Sequence, residues 1–488
     1  MTRRQWIALT AIIALGLVGL APTTSDAQRT NQDAALAAEL ETLVRGAGLQ
    51  GARVGVSVID VASGAVVFEH QPDELHNPAS NMKVVTAAAA LALLGPEHRI
   101  TTALAGRLDL GQLAGPIVLR GRGDPTLRYA DLLELANDLS GLGVRRVDGI
   151  VVDDRFFEPA ALAPAFEQQP GEMAPFRAAI GAASVDANAY RITAVPTTEG
   201  APARIDLLAR GYFEVSGQVL TAAAGTPPDV RVQQTVEGDR LRLRVSGTVP
   251  AGVRQVGYAR RVEHPWAYAG HALADALRSV GIRVSGGVSR GAAPPGAAVL
   301  VSHQSPPLSQ MIHAMGKASD NFTAEMVLRL VAAERARVPG TSADGARLVG
   351  DYLVRTGARA GAFTLRNGSG LFDANRLTAR QLAGLLAYVA RDPTIAPEYF
   401  AHLATMGVDG TLSNRLRDAA VARHVRAKSG TLNDAISLSG YVLGPGPAPR
   451  VLAFSALTSG VRGRHGPARA LCDGVPRTVL AALHRRAQ

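Results

Sequence analysis

The feature that most limits how this chain can fold is an interruption. Arg240-Leu241-Arg242-Leu243-Arg244-Val245 alternates strictly between charged and apolar residues behind a Glu237-Gly238-Asp239 turn. Period-two alternation after a turn marks a half-buried strand. The stretch around it, about 195 to 256, reads as almost all strand. Both ends of the chain instead mix helix and strand. Near the start, Leu36, Leu40, Leu43 and Val44 share one face of a helix over 33–45. Residues 54–60 and 65–69 read as a hairpin around Ser63-Gly64, and an alanine-rich helix follows from about Ser80. Strands are expected at 116–120 and 149–153 with a helix over 129–139 between them. A helix over 266–280, a short strand at 283–285 and the linker Gly291 to Gly296 come next. Beyond the linker the opening texture returns. Helices are expected at 308–318, 324–335, 344–355 and 378–389, strands at 435–443 and 450–457, and a last helix over 467–483. A chain of 488 residues exceeds one ordinary core. It reads as one helix-and-sheet unit interrupted by an insertion of roughly 200 residues, the size of a domain or two.

Arg3 and Arg4 precede an apolar run from Trp6 to Ala21, and Ser25-Asp26-Ala27 offers the small residues that a signal peptidase reads. Residues 1–27 therefore read as an export signal cleaved near Ala27, with an uncut anchor as the other reading. Thr2-Arg3-Arg4-Gln5-Trp6 faintly fits a twin-arginine leader, and a general secretory route fits at least as well. The net charge is +10, yet no dense Lys/Arg block with interleaved aromatics is present. That argues against nucleic acid and for an anionic surface such as the cell envelope. The expected location is periplasmic, and peripheral contact with the membrane is compatible with it. Cys472, the single cysteine, excludes an intrachain disulfide and reads as a small buried apolar residue.

Three short clusters carry chemistry. In His76-Asn77-Pro78-Ala79-Ser80-Asn81-Met82-Lys83, positions 80 and 83 lie one helical turn apart on one face. A serine hydroxyl needs a base, and a lysine serves only when its amine is neutral. An ordinary capped helix start explains the same residues. Lys317-Ala318-Ser319-Asp320-Asn321 joins two expected helices and reads equally as a cap or as one wall of a cleft. Lys428-Ser429-Gly430-Thr431 precedes a strand and suits a cleft-lining sheet edge. There Gly430 is expected to let a substrate backbone come close. Their joint order, S-x-x-K, then S-D-N, then K-S-G, is far more specific than any one of them.

That order resembles the low-molecular-mass class C penicillin-binding proteins, the D-alanyl-D-alanine carboxypeptidase/endopeptidase family. The resemblance runs from about Ala34 to the C-terminus. Gly121-Arg122-Gly123-Asp124-Pro125-Thr126-Leu127, Asn367-Gly368-Ser369-Gly370-Leu371 and Val408-Asp409-Gly410-Thr411-Leu412 are similar to further family stretches. It implies an α+β fold, a penicillin-binding-protein/serine β-lactamase-like transpeptidase domain with two inserted smaller domains. The antiparallel sheet flanked by helices would come from 28–100 and 297–488. An α/β insert would come from 101–194 and 257–296, with a mostly β domain nested at 195–256.

The resemblance assigns Ser80 as nucleophile and Lys83 as its base. Ser319 would relay a proton to the leaving amine, and Lys428 would help keep Lys83 neutral. Asn321 would bind the substrate amide, and the N–H groups of Ser80 and Thr431 would form an oxyanion hole. Lys428, Ser429 and Thr431 would receive a terminal carboxylate. Asp153 and Phe157 are expected to contact an amino end of the stem peptide. The expected ligands are peptidoglycan stem peptides and β-lactams, with no metal or cofactor. Asp320 stands where the family often has Asn, and Ser429 where threonine is commoner. Asp124, Asp409 and His76 read as structural. A β-lactamase or esterase on the same fold, and a non-catalytic envelope sensor, are the rival readings.

Overall fold

Strand Arg53–Asp60 sits between the hairpin partner Val66–His70 and strand Val451–Ser459, near the far end of the chain. This pairing closes the interrupted unit. The computed structural model describes residues 24–109, 112–159, 161–418 and 421–487. The export signal expected over 1–27 falls outside them up to position 23, and a helix Thr24–Arg45 is described from there on. No helix among the described residues is long and apolar enough to cross a membrane.

The main sheet has six strands, all antiparallel, in the order Ala404–Thr405, Val425–Leu432, Ala435–Leu443, Val451–Ser459, Arg53–Asp60, Val66–His70. Both faces are covered, so its central strands are apolar throughout rather than alternating. Val56, Val58, Phe454 and Ala456 face helices Thr24–Arg45 and His465–Ala487. Ile59, Tyr441, Ala453 and Leu457 face a helical layer that includes Met82–Leu94 and Ala379–Val389. Cys472 is fully buried in the first of these layers, and burial pushes its thiol up to about 12.

The insertion builds a five-stranded sheet in the order Val288–Arg290, Ile150–Asp153, Ile117–Arg120, Thr101–Gly106, Ala298–Gln304. Helices Tyr129–Gly141 and Pro265–Ser279 pack on it. The strand Ala298–Gln304 lies after the linker at which the main unit was expected to resume. It pairs with Thr101–Gly106, so the inserted sheet runs past that linker. The alternating strand Arg240–Pro250 is the centre of a four-stranded sheet, and its inward Leu241, Leu243 and Val245 are buried. Strands Ala189–Val195 and Val256–Arg261 pair antiparallel at the base of this nested part. Its apolar residues join one continuous cluster with those of the α/β part.

A fourth cluster seats the insertion on helices of the main unit: Ile100, Phe156, Phe157 and Ile180 pack with Met311, Phe322 and Met326. Arg329 is buried in the same contact, donating to the Ile180 carbonyl at 3.2 Å and pairing with Glu158 at 3.2 Å.

Candidate active site

Pro78 ends extended backbone and leads into a 3₁₀ turn, Ala79–Asn81, that runs directly into helix Met82–Leu94. Ser80 is the middle residue of the turn. Several bonds hold it: Asn77 Oδ1 accepts from the Ala79 N–H at 3.0 Å, and Asn77 Nδ2 donates to the Phe372 carbonyl at 2.8 Å. On the sheet side, Asn81 Nδ2 donates to Ser437 Oγ at 2.5 Å, and that hydroxyl donates to the Pro78 carbonyl at 2.8 Å. Ala79 has φ 49°, a left-handed conformation that costs a non-glycine residue energy and persists only where its surroundings enforce it.

Lys83 is fully buried one turn on. Its Nζ lies 3.0 Å from Ser80 Oγ, 2.7 Å from Asn321 Oδ1 and 2.8 Å from the Ser369 carbonyl oxygen. The two latter atoms can only accept. A neutral amine has two N–H groups, so both are spent on Asn321 and Ser369. The lone pair is then left for the serine hydroxyl. Burial pushes Lys83 down to about 8 from its usual 10.5, against the opposing pull of Asp320 and Glu325. That difference amounts to roughly 3 kcal/mol against the charged form, enough to leave a useful neutral fraction near neutral pH.

Ser319 caps helix Leu308–Ala318 with φ 58°, the second strained non-glycine residue at the site. Asp320 caps the next helix, Asn321–Arg335, its carboxylate accepting the Thr323 N–H at 2.6 Å. The Asp that departs from the commoner Asn is thus a capping residue. Lys428 is fully buried on strand Val425–Leu432 and donates to the Ser429 carbonyl at 2.8 Å. Burial, and then the positive charge of Lys83, hold it well below its usual value.

Side chains alternate along that strand. Ser429 and Thr431 line a cleft of about 500 Å³ together with Ser80 and Ser319. The short edge strand Ala404–Thr405 pairs only with Ala427 and Arg426, so the outer edge from Lys428 onward has no partner strand among the described residues. A Cβ on Gly430 would stand 2.2 Å from Ser437 Oγ and 2.9 Å from Ala79 Cβ, so its missing side chain admits the turn that carries Ser80.

One expected contact falls away. Phe157 is 1% exposed, stacked on Phe156 and packed against Gly123, so it is a core residue with no face for a ligand. Asp153 has both oxygens on Arg155, at 2.8 and 2.9 Å. The structural readings hold. Asp124 accepts the Thr126 N–H at 2.8 Å and Asp409 accepts from Lys317 at 2.8 Å. His76, pushed down to about 4 mainly by burial, faces Ser459 at 3.0 Å.

Other residues complete the site without having been singled out. Thr411 Oγ1 lies 2.7 Å from Ser429 Oγ, and Arg469, from the last helix, lines the same cleft. Ser369 supplies one of the two acceptors for the amine. Glu325, buried and one turn past Asn321, holds the loop that carries Ser369. The i, i+4 spacing of Asn321 and Glu325 was the available signal.

A serine with a buried lysine one turn on, facing a serine-asparagine bend and a lysine-bearing strand, defines a serine hydrolase of the penicillin-recognising class. The chain belongs to the D-Ala-D-Ala carboxypeptidase 3 (S13) family, whose model matches residues 36–471. It is 34% identical over 472 residues to a D-alanyl-D-alanine carboxypeptidase of Actinomadura sp. (strain R39), covering 93% of this chain and 86% of that one. It is 28% identical to the D-alanyl-D-alanine carboxypeptidase DacB of Haemophilus influenzae over 80% of this chain and 83% of that one. Its fold matches the crystal structure of penicillin binding protein 4 from Haemophilus influenzae with a TM-score of 0.75 at 24% identity, covering 90% of this chain and 99% of that one.

Gly370 tests the geometry of the turn. It has φ +78°, and a Cβ there would fall 1.8 Å from the Ala79 carbonyl oxygen. Gly370→Ala is expected to push the nucleophile turn aside. It should cost about 1–3 kcal/mol of stability and slow acylation by labelled penicillin at least tenfold, read by gel fluorescence and thermal melting.

Proposed function

We infer that this chain is a serine D-Ala-D-Ala peptidase that cleaves peptidoglycan stem peptides through an acyl-enzyme on Ser80. The carrying observation is the three-way setting of Lys83, with two acceptors and one hydroxyl around a single buried amine. Ser80 Oγ attacks the carbonyl between the two terminal D-alanines, and its proton passes to Lys83 Nζ. The N–H groups of Ser80 and Thr431 receive the charge that develops on the carbonyl oxygen. As the carbon–nitrogen bond breaks, the proton reaches the leaving amine by way of Ser319. Water then attacks the ester, and the acid product leaves with Ser80 restored.

The hydroxyls of Ser429 and Thr431 suit the substrate's terminal carboxylate, and Arg469 in the same cleft adds positive charge. A β-lactam presents a carboxylate and a reactive carbonyl in the same relation, which supports its acting as a covalent inhibitor here. A cross-link between stems offers the same type of bond, so endopeptidase action belongs to the same chemistry. Strain at Ala79 and Ser319 and a buried lysine pair are costs with no return in a non-catalytic sensor.

Ser80→Ala separates the enzyme from a binding protein. The variant is expected to lose both penicillin labelling and release of D-alanine or cleaved stems from purified cross-linked muropeptides, followed by mass analysis. Unchanged product release would sink the mechanism, and rapid turnover of penicillin by the wild type would favour a β-lactamase.

The sign of the pH dependence follows from Lys83. Above about 8 the amine is neutral and accepts the serine proton; below it the amine is charged. The acylation rate constant is expected to fall about tenfold per pH unit on the acid side of that value. A stopped-flow profile flat from neutral to acid would remove lysine from the role of base.

We further propose that the protein is exported, with a leader removed near Ala27, and works in the periplasm. The Arg3-Arg4 pair, the apolar run behind it and the Ser25-Asp26-Ala27 site support this. N-terminal sequencing of the mature protein is expected to begin near Gln28; an intact Met1 would contradict it.

A further inference from the structure

Glu325 is buried at 1% exposure on helix Asn321–Arg335, and the mechanism above gives it no step. Its Oε2 accepts the Gly368 N–H at 3.0 Å and its Oε1 accepts the Ser369 N–H at 2.8 Å. The Ser369 hydroxyl also bonds to it. Burial raises the Glu325 carboxyl above its usual range, while the donors around it oppose that shift and favour the anion. The carbonyl of Ser369 then turns the other way and accepts from Lys83 Nζ at 2.8 Å. One residue of loop therefore separates a buried acid from the catalytic amine.

We propose that Glu325 is a positioning residue for the base: its carboxylate fixes the Ser369 carbonyl against Lys83 Nζ and adds to the negative charge that Asp320 brings to that amine's field. The proposal rests on the acyl-enzyme reading. Asn321 and Glu325 lie on one face of one helix, so a single rigid element presents both the side-chain acceptor and the charge that holds the backbone acceptor. Gly368 lets the loop lie close on this helix, since a Cβ there would meet the Ala324 carbonyl oxygen at 2.6 Å.

The charged groups around the amine are few. Lys428 faces it from the sheet, Asp320 from the bend between helices, and Glu325 from behind the 367–370 loop. Arg329, one turn further along the same helix, faces Glu325 and is itself paired with Glu158 of the insertion. Asp320 is spent on capping Thr323. Glu325 is thus the acid bonded directly to the loop that touches the amine. Its charge favours the protonated amine, while its hydrogen bonds place the acceptor that aims the neutral one.

These two effects separate by experiment. Acylation of wild type, Glu325→Gln and Glu325→Asp by a labelled penicillin is measured across pH. Glu325→Gln removes the charge, so the acid limb is expected to move to lower pH by about one unit. Glu325→Asp keeps the charge and shortens the reach. Its limb is expected to stay in place while the rate constant falls at least tenfold. A folded Glu325→Gln variant with an unmoved limb, or a Glu325→Asp variant acylating at the wild-type rate, overturns the proposal. Should the Gln variant not fold, the Asp rate and an infrared spectrum of carbon-13 glutamate-labelled wild type decide. A buried protonated acid band near pH 8 overturns the charge assignment, and its absence with a slow Asp variant supports it. Failure of wild type to acylate at all would remove the underlying reading instead.

Discussion

A lysine amine taken out of water is the constraint on which the rest of this molecule turns. The proposed base step needs Lys83 neutral, and burial is what weakens its hold on the proton. The fold buries it where three segments far apart in sequence converge. Each segment brings a different kind of group. The nucleophile turn brings the hydroxyl, the bend at Ser319 to Asn321 brings an amide oxygen, and the 367–370 loop brings a backbone carbonyl. Lys428 adds a second buried amine whose own charge is disfavoured by the first.

Helix Asn321–Arg335 does more than wall the site. Asn321, Glu325 and Arg329 recur at four-residue spacing, so a polar stripe runs along a helix that is otherwise apolar where buried. Its first member touches the Lys83 amine, and its last reaches Ile180 and Glu158 of the insertion. The insertion is therefore seated on the same element that shapes the active centre, with Phe156 and Phe157 filling the apolar part of that seat.

Much of this was readable before the structure. Helix 308–318 and strand 435–443 stand where their periodicity placed them, because each is bounded by clear punctuation. The meeting of Ser80, Lys83, Ser319, Asn321 and Lys428 followed from motif order. What escaped was what needs three-dimensional neighbours. Helix Ala396–His402 is one turn and three residues beside two prolines, too short for a periodic signal. The pairing of strand Ala298–Gln304 with Thr101–Gly106, which carries the inserted sheet past the Pro-Gly linker, has no signal of its own in the sequence. Phe157, expected at a ligand, packs instead in the seat between insertion and main unit, a contact with no one-dimensional signal. Glu325 and Ser369 carry no reactive motif of their own and gain meaning only through the loop between them.

The pairing of Arg53–Asp60 with Val451–Ser459 has a consequence for how the molecule comes into being. The first strand of the hairpin is synthesised long before its partner in the middle of the sheet, with the whole insertion between them. Until strands Ala435–Leu443 and Val451–Ser459 arrive, the 79–81 turn lacks Ser437 to tie it down and the early hairpin has an open edge. The insertion can gather its own core meanwhile. A ribosome stalled before strand Val451–Ser459 would hold a chain whose main sheet is still open beside the insertion.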